Sequence, residues 1–158
     1  MKSPLRALML FPLCALSVAC GEDVTLCAAF DSNMALVDSQ GTARTSFPQG
    51  APVKLAVTVT NPRGNAQTLT IFDGCAEVTG SVGKMSGELF WHSEENRVCT
   101  MATVPTTYRG GESRAFTYTW DQRDPQDAQV PPGTYVAQME QRTECGALLS
   151  KTIEFAIE

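Results

Sequence analysis

The densest group of reactive side chains is His92, Ser93 and Glu94, which includes the single histidine of the sequence. A serine–histidine–acid triad needs the imidazole held between a nucleophile and an orienting acid. Neighbouring residues of a strand point to opposite faces, so Ser93 is not expected to reach the His92 ring. We therefore interpret His92 as a surface residue at the end of a strand, and one histidine excludes a histidine-rich metal site.

A second group lies in one predicted loop and consists of Asp121, Arg123, Asp124 and Asp127. Carboxylates can bind calcium, but this spacing is not that of an EF-hand and the required glycine is missing. We expect a solvated acidic loop and no metal. Loops on a rigid scaffold often carry recognition, so these four residues are the candidate binding loop. The polar turn Ser93–Arg97 is a second candidate.

Other catalytic patterns are missing from the sequence. The run from Arg109 to Glu112 is a glycine turn that contains an acid, not a phosphate-binding loop. No Gly-x-Ser-x-Gly motif occurs. A carboxylate pair for glycoside hydrolysis depends on a distance in three dimensions, and nothing local singles one out. We predict no catalytic residue, no cofactor and no metal, with a hydrolase as the less favoured alternative.

Residues 1–19 have the pattern of an export signal. Lys2 and Arg6 precede an apolar core that is too short to span a membrane permanently. Small residues then lead to Cys20, a pattern that resembles the bacterial lipobox, in which the cysteine is lipidated and becomes the mature N-terminus. The alternative is an ordinary signal peptide cut near Ala19. The resemblance implies an exported protein, lipid-anchored in the cell envelope: at the outer membrane, its periplasmic face or the cell surface.

The remaining cysteines fit an exported domain. Cys27, Cys75, Cys99 and Cys145 follow the signal, and four cysteines in such a domain typically form two disulfides. Of the three possible pairings we prefer Cys75 with Cys99 and Cys27 with Cys145. A zinc site is disfavoured because no CxxC motif occurs and the cysteines are far apart in sequence.

Composition and charge narrow the class of protein. Hydrophobic residues make up 43% and charged residues 18%, as in a globular domain. Without Lys2 and Arg6, the remaining 10 Lys and Arg face 17 Asp and Glu, a net charge of −7. A nucleic-acid-binding protein needs a basic surface to displace counterions from phosphates, so we predict no nucleic-acid partner.

The elements that must position these residues are predicted to be strands. Phe116, Tyr118 and Trp120 alternate with threonines, so the three aromatics share one face, which we interpret as sandwich core. Val53–Thr60 alternates as clearly, and its apolar face is expected to lie opposite those aromatics. A turn at residues 61–65 joins it to Gln67–Phe72, and these two runs are predicted to form an antiparallel hairpin. Pro105 is expected to end a strand over Val98–Val104.

The whole pattern predicts an all-β, immunoglobulin-like antiparallel β-sandwich. Short strands recur with turn signals between them, and no window shows a helical period. Further strands are predicted over 24–30, 76–82, 88–92, from Thr134 to Met139 and over 152–158. We predict a signal peptide over 1–19, a tether over 20–23 and one domain over 24–158.

Four segments of the sequence resemble the BsuPI-like intracellular proteinase inhibitor family. They are VKLAVTVTNPRGNAQTLTIFDGC, GELFWHSEENRV, GGESRAFTYTWDQRD and VPPGTY, which lie between residues 47 and 141. The resemblance implies an immunoglobulin-like sandwich and suggests a protease as partner. It maps no inhibitory residue. The export signal departs from a cytoplasmic inhibitor, because an exported copy cannot meet an intracellular protease.

These observations favour a non-enzymatic exported lipoprotein whose sandwich binds another protein. The missing catalytic patterns favour a non-enzymatic role. The family resemblance suggests that this role is inhibition of a proteinase. The alternative is a structural or accessory module of the cell envelope.

Overall fold

The structure is a computed structural model that describes residues 30–72, 77–95, 98, 100, 102–144 and 146–158. The predicted export signal, the strand predicted from Val24 (apart from Phe30) and all six cysteines lie outside these residues. Among the described residues, no helix is long and apolar enough to cross a membrane. The strands are β1 (Asp31–Val37), β2 (Ser46–Phe47), β3 (Val53–Thr60), β4 (Gln67–Ile71), β5 (Thr79–Gly83), β6 (Leu89–His92), β7 (Val104–Tyr108), β8 (Ser113–Trp120), β9 (Gly133–Thr143) and β10 (Gly146–Ile157).

The strands form two sheets, and the all-β sandwich predicted from the sequence is confirmed. The smaller sheet has the order β1-β3-β8. The larger has the order β2-β10-β9-β4-β7, with β5 pairing with β9 and β6 pairing with β5. The pairings are antiparallel except that β2 runs parallel to β10. Three strands facing a larger sheet give the immunoglobulin-like class of sandwich.

The core lies between the two sheets and is built from alternating strand residues. Val53, Leu55, Val57 and Val59 are at most 2% exposed, as the period-two pattern of β3 predicts. An aromatic cluster fills one end of this core. Its members are Phe47, Phe90, Trp120, Tyr135 and Phe155, with ring centroids 5.5–6.3 Å apart.

The aromatic face of β8 does belong to the core, but its neighbours are not the expected ones. Trp120 is fully buried, and Phe116 and Tyr118 are partly buried against the core. In the ladder, Trp120 pairs with Val53 and Phe116 with Val57. The apolar residues of β3 therefore lie beside the aromatics in the same sheet. Tyr135 and Phe155 of the larger sheet pack against Trp120.

The predicted hairpin of β3 with β4 is wrong. β3 pairs with β1 and β8 in the smaller sheet, whereas β4 pairs with β7 and β9 in the larger. Both strands alternate, and each turns its apolar residues towards the space between the sheets. The turn at residues 61–66 therefore carries the chain from one sheet to the other.

Pro105 does not end a strand as predicted, because it lies inside β7 and pairs with Thr70. β7 is the outer strand of the larger sheet, and proline is tolerated on an outer strand because no further strand needs its missing N–H. The last two strands are longer than predicted, since each provides the other with a continuous hydrogen-bonded partner over most of its length.

Two turns at one end of the sandwich are held together by the buried side chain of Asn61. Its Nδ2 donates to the carbonyls of Asn65 at 2.9 Å and Arg109 at 3.0 Å. Its Oδ1 accepts from the backbone N–H of Arg63 at 3.1 Å. One fully buried amide thus joins the turn after β3 to the turn before β8.

Candidate binding loop

The loop at residues 121–130 links β8 to the segment that leads into β9, and it begins directly beside the core. The indole Nε1 of Trp120 donates to the carbonyl of Arg123 at 2.8 Å. At the other end, the backbone N–H of Val130 donates to the carbonyl of Gln122 at 2.9 Å. The core therefore fixes both ends of the loop.

The tip of the loop is closed by its own hydrogen bonds. The backbone N–H of Asp124 donates to the carbonyl of Ala128 at 2.9 Å. Arg123 and Gln129 form an isolated antiparallel β-bridge. The carboxylate Oδ1 of Asp124 accepts from the N–H groups of Gln126 and Ala128, each at 2.9 Å. An aspartate that binds backbone N–H groups two and four residues ahead stabilises a tight turn. The tip is therefore ordered before any partner binds.

Gln122 fastens this loop to the turn between β2 and β3. Its side chain is fully buried, and its Nε2 donates to the carbonyls of Pro48 at 2.9 Å and Ala51 at 2.7 Å. Its Oε1 accepts from the N–H of Gly50 at 2.7 Å. The backbone adopts a φ of 63°, a conformation that non-glycine residues rarely take. These contacts compensate that strain and hold the loop in one position.

The four residues predicted for the candidate loop lie together. Arg123 stands between two carboxylates, 3.8 Å from Asp121 and 3.5 Å from Asp127. Its Nη1 also donates to the carbonyl of Asp127 at 2.5 Å. The three side chains are 45–88% exposed, and exposed ion pairs add little stability. The charges are thus available to a partner.

The positive charge of Arg123 lies between Asp121 and Asp127 and opposes the binding of a cation there. Asp124 is already engaged with backbone N–H groups. Among the described residues, no three acidic, histidine or cysteine side chains could hold a metal. The arrangement suits recognition of a polar surface better than cation binding.

The residues that could resemble a hydrolytic site are placed differently. His92 is exposed at the end of β6, opposite Ser81. The hydroxyl of Ser93 accepts from the N–H of Gly80 at 3.0 Å, and the N–H of Ser93 donates to the carbonyl of Gly80 at 2.8 Å. Ser93 therefore ties the turn after β6 to β5, a structural role.

The two predicted binding loops do not form one surface. Gly83 of β5 pairs with Val136 near the start of β9, beside the 121–130 loop, whereas Thr79 pairs with Glu140 further along. β6 runs back from Leu89 to His92 away from that loop. The Ser93–Arg97 turn, described as far as Glu95, thus lies towards the other end of the sandwich.

A polar network inside the other end of the sandwich was not predicted. Arg114 pairs with Glu77 at 3.1 Å and with Glu112 at 2.8 Å, and its guanidinium lies 4.2 Å from the Tyr108 ring centre. The hydroxyl of Tyr108 donates to Glu77. Burial, with the Glu77 carboxylate second, raises the pKa of Tyr108 above its ordinary value. Because Glu77 and Glu112 both pair with Arg114, we interpret this group as a structural ion network.

The comparison of the sequence with protein families gives the class of protein. The model of the BsuPI family, described as intracellular proteinase inhibitor, matches residues 41–145. This is about two thirds of the 158-residue chain and contains the 121–130 loop and all strands from β3 to β9. The chain belongs to this family, and the predicted resemblance is confirmed. No curated protein matches the sequence.

Solved structures match this chain over part of their own length. A mutant β-glucosidase from Listeria innocua in complex with laminaribiose has a TM-score of 0.46 and 12% identity, covering 82% of this chain and 16% of that chain. The alkylpurine DNA glycosylase AlkC from Pseudomonas fluorescens has a TM-score of 0.46 and 14% identity, covering 82% and 30%. The β-glucosidase EmGH1 from Erythrobacter marinus has a TM-score of 0.45 and 14% identity, covering 82% and 15%. The chain thus spans less than a third of each of these proteins, and a likeness at this level does not bear on function.

Proposed function

We propose that this chain is a non-enzymatic, exported and lipid-anchored protein that inhibits a proteinase of the cell envelope. The 121–130 loop is its contact surface. The observation that carries the proposal is an ordered, exposed loop within a domain of the proteinase inhibitor family. Membership of the family suggests the kind of partner, and the loop suggests where that partner binds.

The order within the loop favours binding. Association is weakened when flexible loops must become ordered at the interface. Gln122 and Asp124 already hold this loop through buried and backbone hydrogen bonds. Its tip, Pro125–Ala128, is exposed. A partner can therefore bind these residues at a small cost in conformational entropy.

The predicted location follows from the sequence rather than from the fold. The apolar leader followed by small residues and Cys20 supports export and lipidation. A proteinase that meets an anchored inhibitor must lie on the same side of the membrane. We therefore place the target among proteinases of the envelope or the cell surface.

The arrangement of His92 and Ser93, the residues most suggestive of an enzyme, supports the non-enzymatic role. Ser93 donates to and accepts from Gly80, and His92 is exposed on the strand beside it. A nucleophile of the triad type needs its hydroxyl directed at a base.

A panel of serine, cysteine, aspartic and metallo-proteinases tests the proposal. We expect the protein to slow at least one of them at micromolar concentration. The substitutions Gln126→Ala and Asp127→Gly should weaken inhibition about tenfold, since a few contacts dominate most interfaces. Glycine is chosen because Asp127 has a φ of 64°. Lys151→Ala, exposed on β10, is the matched control and should change inhibition less than twofold.

Failure of every proteinase in the panel would contradict inhibition. Affinity capture from solubilised membranes then distinguishes the alternative: a stable envelope complex without a proteinase would identify a structural module. Metabolic lipid labelling tests the anchor separately. Label should appear in the native chain and be lost in Cys20→Ala, and a labelled Cys20→Ala variant would exclude lipidation at this cysteine.

A further inference from the structure

β8 is the outer strand of the smaller sheet and leaves one edge open. It pairs with β3 over its full length, from Trp120↔Val53 to Ser113↔Thr60. Among the described residues, β3 is the strand that pairs with it. In the part of the chain that the structure describes, no strand pairs with the backbone N–H and C=O groups on the other edge of β8.

The ladder determines which residues present those groups. The carbonyl of Glu112 accepts from the N–H of Asn61 at 2.9 Å, so the backbone of Glu112 faces β3. The N–H and C=O of one strand residue point to the same side, and successive residues alternate. The even-numbered residues of β8 therefore bond to β3. The outward groups belong to Ser113, Ala115, Thr117 and Thr119.

Two other outer strands of the sandwich, β1 and β7, are protected. β1 continues into a segment that joins the larger sheet: Val37 bridges to Ala43, and Thr45 accepts from Ala156 at 2.9 Å. The segment after β1 therefore connects the two sheets on this side of the sandwich. β7 carries Pro105, a residue that natural proteins use to block an edge.

β8 has none of these protections. Its sequence, SRAFTYTW, contains no proline, lysine or glycine, and its register with β3 is continuous, without a bulge. The side chains of the four outward residues are exposed, small and uncharged. An edge of this length, with no proline or bulge and with small uncharged side chains on its solvent face, favours pairing with another strand.

We propose that two copies of this chain pair through β8, antiparallel about a two-fold axis at Phe116, and join their smaller sheets into one. Ser113 then lies opposite Thr119 of the second copy and Ala115 opposite Thr117. Each such pair exchanges two hydrogen bonds. Like charges do not oppose one another in this register, because Arg114 faces Tyr118.

The nature of the edge favours a second copy over a foreign peptide. An added peptide obtains specificity from pockets for its alternate side chains. The residues beside the edge are small: Ala115 neighbours Thr58, and Thr117 neighbours Ala56. Such a surface selects no peptide sequence. Two-fold symmetry instead uses the same edge twice, which is how isologous dimers obtain complementarity.

Sedimentation equilibrium of the mature protein, produced from the full-length chain, tests the proposal. One strand pair buries a small area, so we expect a reversible dimer with a dissociation constant of roughly 10 µM to 1 mM. Hydrogen exchange gives a residue-level readout: the amides of Ala115, Thr117 and Thr119 should become protected as concentration rises. The amides of Phe116 and Tyr118 should not change.

Two sets of variants test the register. Thr117→Pro removes an outward N–H that β3 does not use and should leave a monomer. Ala115→Lys places two lysines diagonally across the axis and should weaken the dimer about tenfold. Adding Thr117→Glu places a glutamate opposite each lysine and should restore the dimer. Thr58→Lys, exposed on β3 one strand from the edge, is the matched control.

A monomer at all concentrations up to about 1 mM would overturn the proposal. So would a dimer that survives both Thr117→Pro and Ala115→Lys, since it would use another surface. Thermal melting confirms that each variant is folded, and the charge-restored pair keeps the test valid if the proline variant does not fold. Capture of an unrelated extended peptide by the monomer, with no dimer, would show that the edge serves a foreign strand.

Discussion

Trp120 connects the core of the sandwich to the candidate binding loop. Its side chain is fully buried, with its ring 5.8 Å from that of Tyr135 and 6.3 Å from that of Phe155. Its Nε1 reaches outward to the carbonyl of Arg123. The residue is both a core aromatic and the anchor at which the loop leaves β8.

We predict that Trp120→Ala destabilises the protein by about 3–5 kcal/mol, because it leaves a large cavity and an unpaired carbonyl. Urea unfolding measures the change. Trp120→Phe is the control: it retains most of the aromatic contact and should cost distinctly less. A stable Trp120→Ala variant that only loses partner binding would mean that the indole serves as a ligand platform instead.

Glu112 gives the turn before β8 a dependence on pH. The N–H of Arg109 donates to its carboxylate, and together with the Arg114 guanidinium this lowers the pKa of Glu112 below its ordinary value of 4.5. A lowered pKa in the folded state stabilises the protein above pH 4.5, and this contribution is lost as the pH falls through the folded value.

We therefore predict that Glu112→Gln lowers the urea midpoint near pH 7 and that the difference from the native chain disappears as the pH falls below 4.5. Glu95→Gln, which also removes one exposed carboxylate at the same end, is the matched control. A Glu112→Gln deficit that stays constant down to pH 2.5 or so would show that the charge of Glu112 is not responsible.

At this scale the sequence predicts apolar residues better than buried amides. The alternation of Phe116, Tyr118 and Trp120 is enough to place them on the core face. Gln122 and Asn61 are fully buried as well, yet a single polar residue beside a strand has no periodic pattern. Asn61 at least directly follows a strand and precedes a proline, a typical turn signal. Gln122 gives none.

At the scale of elements, the turns at residues 61–66 and 109–112 are held in close contact. A Cβ on Gly110 would lie 2.3 Å from the carbonyl oxygen of Gly64 and 2.9 Å from the nitrogen of Asn65. Both atoms belong to backbone that Asn61 fixes. Glycine at position 110 therefore lets the two sheets approach at this end.

We predict that Gly110→Ala destabilises the protein by about 2–4 kcal/mol, because a backbone shift must separate the turns. Gly64→Ala is the matched control in the facing turn, where an added Cβ meets nothing within 4 Å. Thermal unfolding of both variants measures the difference. Equal melting temperatures for the two would contradict close contact between the turns.

The strands themselves were largely predictable, whereas their partners were not. Val53–Thr60 was predicted with its observed bounds, since it alternates without interruption. The false hairpin of β3 with β4 arose because strands of opposite sheets both alternate, and alternation does not record which sheet a strand joins. The 121–130 loop was located by its prolines and aspartates, but its fixed shape depends on Gln122 reaching the distant turn at residues 48–51.

At the scale of the molecule, the loops divide between two ends with different character. The 121–130 loop and the turn at 48–52 lie at one end, beside the start of β3 and the end of β8. The opposite end has the turns joined by Asn61 and the network around Arg114. The chain thus separates a candidate recognition end from an end rich in structural contacts.

The predicted disulfides stay a prediction, because their cysteines lie outside the described residues. Ile71 and Val104, a pair in the β4–β7 ladder, stand four residues before Cys75 and five after Cys99. This register brings together the strands from which the two cysteine-bearing segments continue. It supports testing Cys75 with Cys99 first, and Cys27 with Cys145 as the second bridge.

We predict that peptide mapping under non-reducing conditions recovers these two bridges and that reduction of each costs about 3–5 kcal/mol in the chain-entropy model. The double substitution Cys75→Ala and Cys99→Ala should give the same loss as selective reduction of that pair, measured by urea unfolding. A peptide joining Cys27 to Cys75 would refute the assignment. Four free thiols in protein taken from native cells would also count against export, because an oxidising compartment forms such bridges and the cytoplasm keeps thiols reduced.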